Sequence, residues 1–195
     1  PVTYDRDELF LSDVIVGDGR FIPVVLLFKN LGSILTGDCR DSADVDARIK
    51  SASAAFGSLR RCVFSAHDVW TKVKQQVYCG LILSILLYGY EARCLTERLY
   101  DRLRRFHAQC VRAMCRVTLK HTRKHRISTL ELLGRLRIET IDTYIARRQL
   151  RWAGHVARMD MGRLPRKMLS SWVRSPRPIG APRSVHIRAW AAQGA

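Results

Sequence analysis

From residue 45 onward, apolar side chains recur at intervals of three and four residues, and this spacing limits the fold more than any other feature. Side chains at such intervals lie along one face of an α-helix. The clearest series is Leu99, Leu103, Phe106, Cys110, Met114 and Val117. The other series are Val45, Ile49, Ala52, Phe56, Leu59 and Val63, then Val69, Val73, Val77, Leu81, Ile85 and Tyr88, and finally Ile141, Ile145, Trp152 and Val156. The sequence therefore predicts several amphipathic helices that pack into a bundle.

Capping residues predict where these helices begin and end. Ser, Thr and Asp side chains accept hydrogen bonds from the free N–H groups of a first helical turn. The predicted starts are Asp41 or Ser42, Asp68, Thr96 and Ser128. Ser128 and Glu131 have the spacing of a capping box, and the short helix after them is predicted to end at Gly134. The first helix is predicted to end near Cys62, and the last to run from about Glu139 to Met159.

The N-terminal segment predicts β-structure instead. Leu9–Val16 and Phe21–Phe28 are rich in Val, Ile, Leu and Phe, and Gly17-Asp18-Gly19 between them is typical of a hairpin turn. Because Pro23 has no backbone N–H, its strand is predicted to lie at a sheet edge. A second tight turn is predicted over residues 28–33. The predicted fold class is therefore mainly α, with an N-terminal β-hairpin followed by a helical bundle and a long basic C-terminal helix.

The charge predicts a polyanionic partner. The chain of 195 residues carries 34 Lys and Arg against 17 Asp and Glu, a formal net charge of +17. The excess is confined to one part, because residues 1–47 hold nine acids and four bases, whereas residues 48–195 hold eight acids and thirty bases. Nucleic acid is the leading candidate for the partner, and the contact is predicted to lie after residue 47.

Two further features bear on location. The longest apolar run, Val77 to Tyr90, is shorter than the ~20 residues that a membrane-spanning helix needs, so no membrane partner is expected. The chain begins at Pro1 and has no basic-then-apolar signal segment, so it resembles a piece of a longer intracellular protein. Its six cysteines are therefore interpreted as reduced thiols.

The most specific metal pattern is Cys110-x4-Cys115-x5-His121-x3-His125, which contains four possible zinc ligands, two thiolates and two imidazoles. The spacing argues against zinc. A finger usually leaves about twelve residues between its Cys and His pairs, and on a helix Cys110 and Cys115 lie ~140° apart. The favoured interpretation places Cys110 in the core and both histidines in a basic loop, and no metal or other cofactor is predicted for this chain.

Catalytic patterns are weak. Tyr88-Gly89-Tyr90-Glu91 is superficially similar to a polymerase catalytic turn, but one glutamate cannot hold the two metal ions of such a site. The segment is better explained as a helix end closed by Gly89. The sequence has no Gly-x-Ser-x-Gly nucleophile turn and no Walker-type phosphate loop. No catalytic residue is predicted.

Arginines on two predicted helices are the candidates for nucleic-acid binding. Guanidinium groups neutralise phosphates, and Trp152 and His155 offer rings for stacking if they are exposed. Burial of Trp152 in the core is the favoured interpretation. The predicted nucleic-acid-binding residues are Arg102, Arg105, Arg112 and Arg116 on one helix and Arg147, Arg148, Arg151 and Arg158 on the other. The alternative is that these arginines form a solvated face.

Four segments in order resemble the C-terminal part of the reverse transcriptases of non-LTR (LINE-type) retrotransposons. They are Phe28-Lys29-Asn30-Leu31-Gly32-Ser33, Asp46-Ala47-Arg48-Ile49, Leu86-Leu87-Tyr88-Gly89-Tyr90-Glu91, and residues 147–159. The resemblance covers residues 20 to 172, and the ordered set is more specific than any single segment.

The resemblance implies a role in holding a template–primer duplex of RNA and DNA. A primer-grip-like turn would comprise Phe28, Lys29, Asn30, Leu31 and Gly32. Asn30 replaces the family's usual aromatic residue, and Arg93 lies near the position of a common Trp, which argues against a tight grip. The family's paired catalytic aspartates, which hold Mg²⁺, would lie upstream with the palm and fingers of the same polyprotein.

The implied organisation has four parts: residues 1–36 as a palm-end hairpin with the grip-like turn, 37–134 as a helical thumb-like bundle, 135–172 as a basic post-thumb helix, and 173–195 as a tail rich in Pro and Arg. The whole enzyme would be an RNA-directed DNA polymerase, and this chain alone is predicted to be inactive. The alternative is a standalone basic helical module that binds nucleic acid or another protein without any polymerase role.

Overall fold

The computed structural model describes residues 14–15, 21–22, 25–38, 40–93 and 95–170. Over these residues short antiparallel strands precede a series of helices, so the predicted mainly α fold class with an N-terminal hairpin is confirmed. The chain divides into two compact units, Pro1–Ala47 and Arg48–Ala195. This division coincides with the change of charge along the sequence, since the first unit is acidic and the second strongly basic.

Two hairpins lie in the first unit. Strand β1 (Val14–Ile15) pairs antiparallel with β2 (Phe21–Ile22), in agreement with the predicted hairpin. The predicted strand through Phe28 is wrong at its end, because residues 27 and 28 belong to another strand, β3 (Leu27–Asn30), which pairs with β4 (Ser33–Thr36). Val25 and Leu26 are also outside any strand, and the remaining residues of the predicted strands, including Pro23, lie outside the described residues.

The second predicted turn is confirmed and has an unusual backbone. Leu31 and Gly32 join β3 to β4, and both have positive φ angles, 47° and 82°. Positive φ at both central residues is the pattern of a type I′ hairpin turn, which suits the twist of the flanking strands. Gly32 adopts this conformation without steric cost, whereas Leu31 carries a β-carbon into it.

The first helix, α1 (Ser42–Leu59), starts where the capping residues predict and continues as a π-helical turn, Arg60–Phe64. In the first unit, the backbone N–H of Ile34 donates to the fully buried carboxylate of Asp44, 2.8 Å away. In the second unit, Phe56 stacks on Phe64 with ring centroids 4.4 Å apart. These contacts attach the helix to each unit separately.

The second helical stretch comprises α2 (Thr71–Val77), a π-helical turn (Tyr78–Ile82) and α3 (Leu83–Leu86). It begins after Trp70, so the predicted start at Asp68 is wrong. The predicted apolar face is also wrong by one residue. Its members Val73, Leu81 and Tyr88 are 44–48% exposed. The buried side chains are instead Lys74, Tyr78, Ile82, Leu83 and Leu86.

This one-residue shift has two physical causes. The second half of the stretch is apolar on every side, so spacing alone cannot identify the buried face. The π-helical turn also adds a residue to the local repeat and rotates the positions that follow it, such as Tyr88, but it does not act on Val73, which precedes it. Lys74 is buried because its ammonium group donates to the carbonyl of Ala66 at 2.6 Å.

Helix α4 (Glu97–Met114) buries the predicted face, including Leu103, Phe106 and Cys110, which confirms the clearest periodicity in the sequence. Two short helices follow, α5 (Leu119–Lys124) and α6 (Thr129–Leu136). Ser128 caps α6 by accepting from the N–H of Glu131, as predicted. The predicted end at Gly134 is wrong, because the helix continues to Leu136 and is closed by Arg137 with a φ of 53°.

Helix α7 (Ile141–Ala157) is the predicted basic helix, two residues shorter at each end, and α8 (Leu164–Ser170) packs against it. Helix α7 also contacts α4, so the two arginine-bearing helices are neighbours in the second unit. None of the described helices is long and apolar enough to span a membrane. The predicted Pro- and Arg-rich tail, residues 173–195, lies outside the described part of the chain.

Candidate nucleic-acid interface

Helix α7 is held in a defined orientation by side chains that reach back to the turn after α3. Gln149 is fully buried, and its amide donates to the carbonyl of Arg93 at 3.0 Å. The guanidinium of Arg148 donates to the carbonyl of Leu87 at 3.1 Å. Thr140 caps the helix by accepting from the N–H of Thr143. These bonds fix which flank of α7 faces outward.

That outward flank borders a cleft with a volume of about 630 Å³, which we call the tryptophan cleft. Its lining residues are Glu91, Arg148, Arg151, Trp152, His155 and Arg158. Three of the four arginines predicted on this helix are therefore neighbours in space. They converge because positions 148, 151, 155 and 158 are separated by three and four residues and share one side of the helix.

The aromatic residues of the tryptophan cleft are accessible. Trp152 is half-buried and His155 is exposed, so the expected burial of Trp152 in the core is wrong. The reason is the position of residue 152 on the helix, between the buried side of Ile145 and Val156 and the outward side of Arg151. An accessible indole and imidazole between guanidinium groups provide surfaces on which a base can stack.

One acidic side chain lies among these arginines. The carboxylate of Glu91 lines the tryptophan cleft, and within the described residues its Oε2 is buried without a hydrogen-bond partner. No described arginine lies within salt-bridge distance of Glu91. Its negative charge therefore lowers the positive potential of the cleft without neutralising a particular guanidinium.

The remaining predicted arginines lie elsewhere. Arg147 pairs with Glu139 at 2.6 Å, and this carboxylate raises the pKa of the guanidinium. On α4, Arg102 is half-buried and Arg105 is exposed. Arg116 follows the end of α4, with a φ of 59°, and its guanidinium contacts the imidazole of His67. Spacing along the chain does not separate Arg116 from the arginines of the tryptophan cleft, because its partner His67 lies 49 residues away.

Arg112 belongs to a second basic cleft, with a volume of about 350 Å³, which we call the arginine cleft. Two further arginines line it, Arg123 in α5 and Arg126 just after that helix. The predicted basic loop around His121 is wrong, because His121 and Arg123 lie in helix α5, and the sequence pattern does not predict Arg123 or Arg126 as site residues. The available signal is the run His121-Thr122-Arg123-Lys124-His125-Arg126, in which five of the six residues are basic or carry an imidazole.

The grip-like residues form an exposed hairpin end in the first unit. Phe28, Lys29 and Asn30 occupy strand β3, and Leu31 and Gly32 make its turn. Phe28 is 55% exposed and Leu31 is 85% exposed. Nothing in the described chain tests their predicted role, which stays a prediction.

The Cys and His pattern is spread over different environments. Cys110 is a buried residue of helix α4, and burial raises the pKa of its thiol to about 12. The Sγ of Cys115 lies 3.8 Å from the carbonyl oxygen of Leu132, whereas the rings of the exposed residues His121 and His125 have centroids 4.2 Å apart and are tilted by 37° to each other. Among the described residues, no three Cys, His, Asp or Glu side chains are gathered as metal ligands.

Comparison with known proteins gives one informative similarity. The chain is 28% identical over 120 residues to a Caenorhabditis elegans protein described as an uncharacterized transposon-derived protein. The aligned region is 62% of this chain and 42% of that protein, so the chain spans about two fifths of the length of the curated relative it matches. No family model matches, and no solved structure matches. The similarity indicates a transposon origin and does not identify a reverse transcriptase specifically.

Proposed function

We propose that this chain is part of a retrotransposon reverse transcriptase and holds a template–primer duplex of RNA and DNA through the tryptophan cleft. The observation that carries the proposal is the convergence of Arg148, Arg151 and Arg158 on one cleft beside Trp152 and His155. The similarity to a transposon-derived protein supports the part of the proposal that places the origin of this chain in a transposable element. The family assignment rests on the sequence resemblance described above.

The composition of the tryptophan cleft suits a nucleic-acid strand. Arg151 and Arg158 are exposed and make no salt bridge to any described carboxylate, so their charges are available to phosphates. One N–H group of the Arg148 guanidinium donates to the carbonyl of Leu87, and the guanidinium has further N–H groups that can donate to a phosphate. Trp152 and His155 add a stacking surface that tolerates any base. The expected binding is therefore electrostatic, sensitive to salt and weakly selective for sequence.

The proposed contribution of the chain is positioning and not chemistry. A reverse transcriptase needs carboxylates that hold two Mg²⁺ ions at the primer end. In our proposal those carboxylates belong to an upstream palm, and this chain keeps the duplex in register with them.

The test is a titration of a fluorescent RNA–DNA hybrid with the purified chain at several salt concentrations. Replacing Arg151 and Arg158 with Ala is expected to weaken binding to unrelated sequences equally and to lower the slope of log K against log salt by up to ~2. Arg60→Ala with Arg61→Ala is the matched control, because it removes two exposed arginines outside the cleft. Equal losses from both pairs would show that net charge alone binds the hybrid and would overturn the cleft assignment.

A further inference from the structure

The arginine cleft brings together three guanidinium groups from separate segments. Arg112 comes from the last turn of α4, Arg123 from α5, and Arg126 from the residues that close α5. The lining also includes two residues with hydroxyl groups, Thr122 and Thr129, and the buried side chain of Leu132. Among the described residues, no Asp or Glu lines the arginine cleft.

These three arginines are unpaired, unlike many others in the described chain. Arg104 contacts Asp142 at 2.6 Å, Arg135 contacts Glu131 at 2.7 Å, and Arg147 contacts Glu139 at 2.6 Å. By contrast, no described carboxylate lies within salt-bridge distance of Arg112, Arg123 or Arg126.

Three like charges around one cleft repel one another unless an anion lies between them. The guanidinium fork matches the oxygen geometry of phosphate, so a phosphate group is the anion that such a cleft fits best.

The backbone at Arg126 adds a second observation. Its φ is 52°, a left-handed conformation in which glycine is preferred because it has no β-carbon. Two hydrogen bonds hold this turn, from the N–H of Arg126 to the carbonyl of Arg123 at 3.3 Å and from Ile127 to Thr122 at 3.0 Å. Arg126 therefore occupies a position where glycine would favour the fold, so its replacement by glycine removes a charge from the cleft without straining the backbone.

The lining also indicates which part of a nucleotide would bind. No Trp, Tyr, Phe or His of the described chain lines the arginine cleft, so these residues offer no ring for a base to stack on, and the volume of the cleft is about half that of the tryptophan cleft. Three cationic forks and the exposed hydroxyl of Thr129 are donors for phosphate oxygens. These features favour a backbone phosphate over a base.

We propose that the arginine cleft is a second phosphate-binding site, and that its ligand is a phosphodiester of the nucleic-acid strand held by this protein. The identity of the strand rests on the proposed function, whereas the phosphate chemistry rests on the three arginines alone. A site of this kind adds affinity and fixes the register of the strand without reading its sequence.

The decisive variant is Arg126→Gly. It removes one charge from the cleft and places the preferred residue at a positive φ, so the variant is expected to fold at least as stably as the original chain. Arg137→Gly is the matched control, because Arg137 also has a positive φ, 53°, is exposed, and does not line the cleft. Thermal unfolding of both variants checks that neither loses the fold.

Binding is measured with the RNA–DNA hybrid and with a strand of the same length that has abasic sites at its centre. Arg126→Gly is expected to raise the Kd of both ligands by about threefold to tenfold and to lower the salt slope by about 1, and Arg137→Gly to change neither. Unchanged binding in Arg126→Gly, or an equal loss in Arg137→Gly, overturns the proposal.

Inorganic pyrophosphate distinguishes the two sources of phosphate. It is titrated by calorimetry into the original chain and into Arg126→Gly. Pyrophosphate binding that depends on Arg126, with hybrid binding that does not, would show a site for a free phosphate and would overturn the assignment to a strand. If Arg126→Gly weakens hybrid binding and the Arg151 and Arg158 variant does not, the arginine cleft is supported and the tryptophan cleft is overturned. The two proposals can therefore be refuted independently of each other.

Discussion

A buried hydrogen bond between Tyr78 and His107 predicts a large stability effect for the removal of a single oxygen atom. The hydroxyl of Tyr78 lies 2.7 Å from Nδ1 of His107, and both residues are buried. The other ring nitrogen of His107, Nε2, lies 3.0 Å from the carbonyl of Glu139. Because that carbonyl only accepts, Nε2 carries the proton of the neutral ring and Nδ1 accepts from Tyr78. The pair joins the π-helical turn, α4 and the start of α7.

Tyr78→Phe keeps the ring that packs against Phe56 and Phe64 and leaves Nδ1 of His107 buried without a donor. The lost bond and the orphaned acceptor together are expected to lower the free energy of unfolding by about 1–3 kcal/mol. For a domain of this size, the melting temperature should fall by roughly 2–4 °C for each kcal/mol.

Urea denaturation followed by circular dichroism measures this change, and an unaltered m-value keeps the comparison two-state. Tyr88→Phe is the control, because Tyr88 is 48% exposed and keeps its ring over Arg48 in the variant. A Tyr78→Phe chain as stable as the original, or a Tyr88→Phe chain equally destabilised, would contradict the assignment of the buried bond.

Three further predictions follow from the described residues. Burial lowers the pKa of His107 below its usual 6.5, so the unfolded chain binds more protons in acid than the folded chain does. The free energy of unfolding should therefore fall as the pH drops below 6.5, and urea titrations at several pH values measure this fall. If His107 causes it, His107→Gln should make the free energy of unfolding less dependent on pH. Glu91→Gln removes the negative charge from the tryptophan cleft and should tighten hybrid binding about twofold to threefold, whereas Glu131→Gln, outside the cleft, should not; weaker binding in Glu91→Gln would contradict the repulsive role. The chain alone should not extend a primer on an RNA template, and extension above a no-protein control by a preparation free of other polymerases would refute this expectation.

The sequence predicts α4 and α6 well because their signals are local. Leu99, Leu103 and Cys110 repeat at helical spacing on a helix whose opposite face is charged, so only one side can be buried. Ser128 and Glu131 define the start of α6 through a bond that spans three residues. The same reasoning fails at Leu81 and Tyr88, since an apolar surface on every side and a π-helical turn remove the contrast on which it depends.

Helical content, the position of most helix starts and the separation of acidic from basic residues follow from the sequence alone, because each depends on residues within one or two turns of one another. Which arginines are available for a ligand is decided only by tertiary structure. Arg104 pairs with Asp142, 38 residues later in the chain, and Arg147 pairs with Glu139, whereas Arg148 reaches a carbonyl 61 residues earlier and Arg112 and Arg126 line the same cleft. Whether a guanidinium is paired depends on the residues that the fold places around it. Many of these residues are distant in sequence, so the spacing of residues along the chain does not identify them.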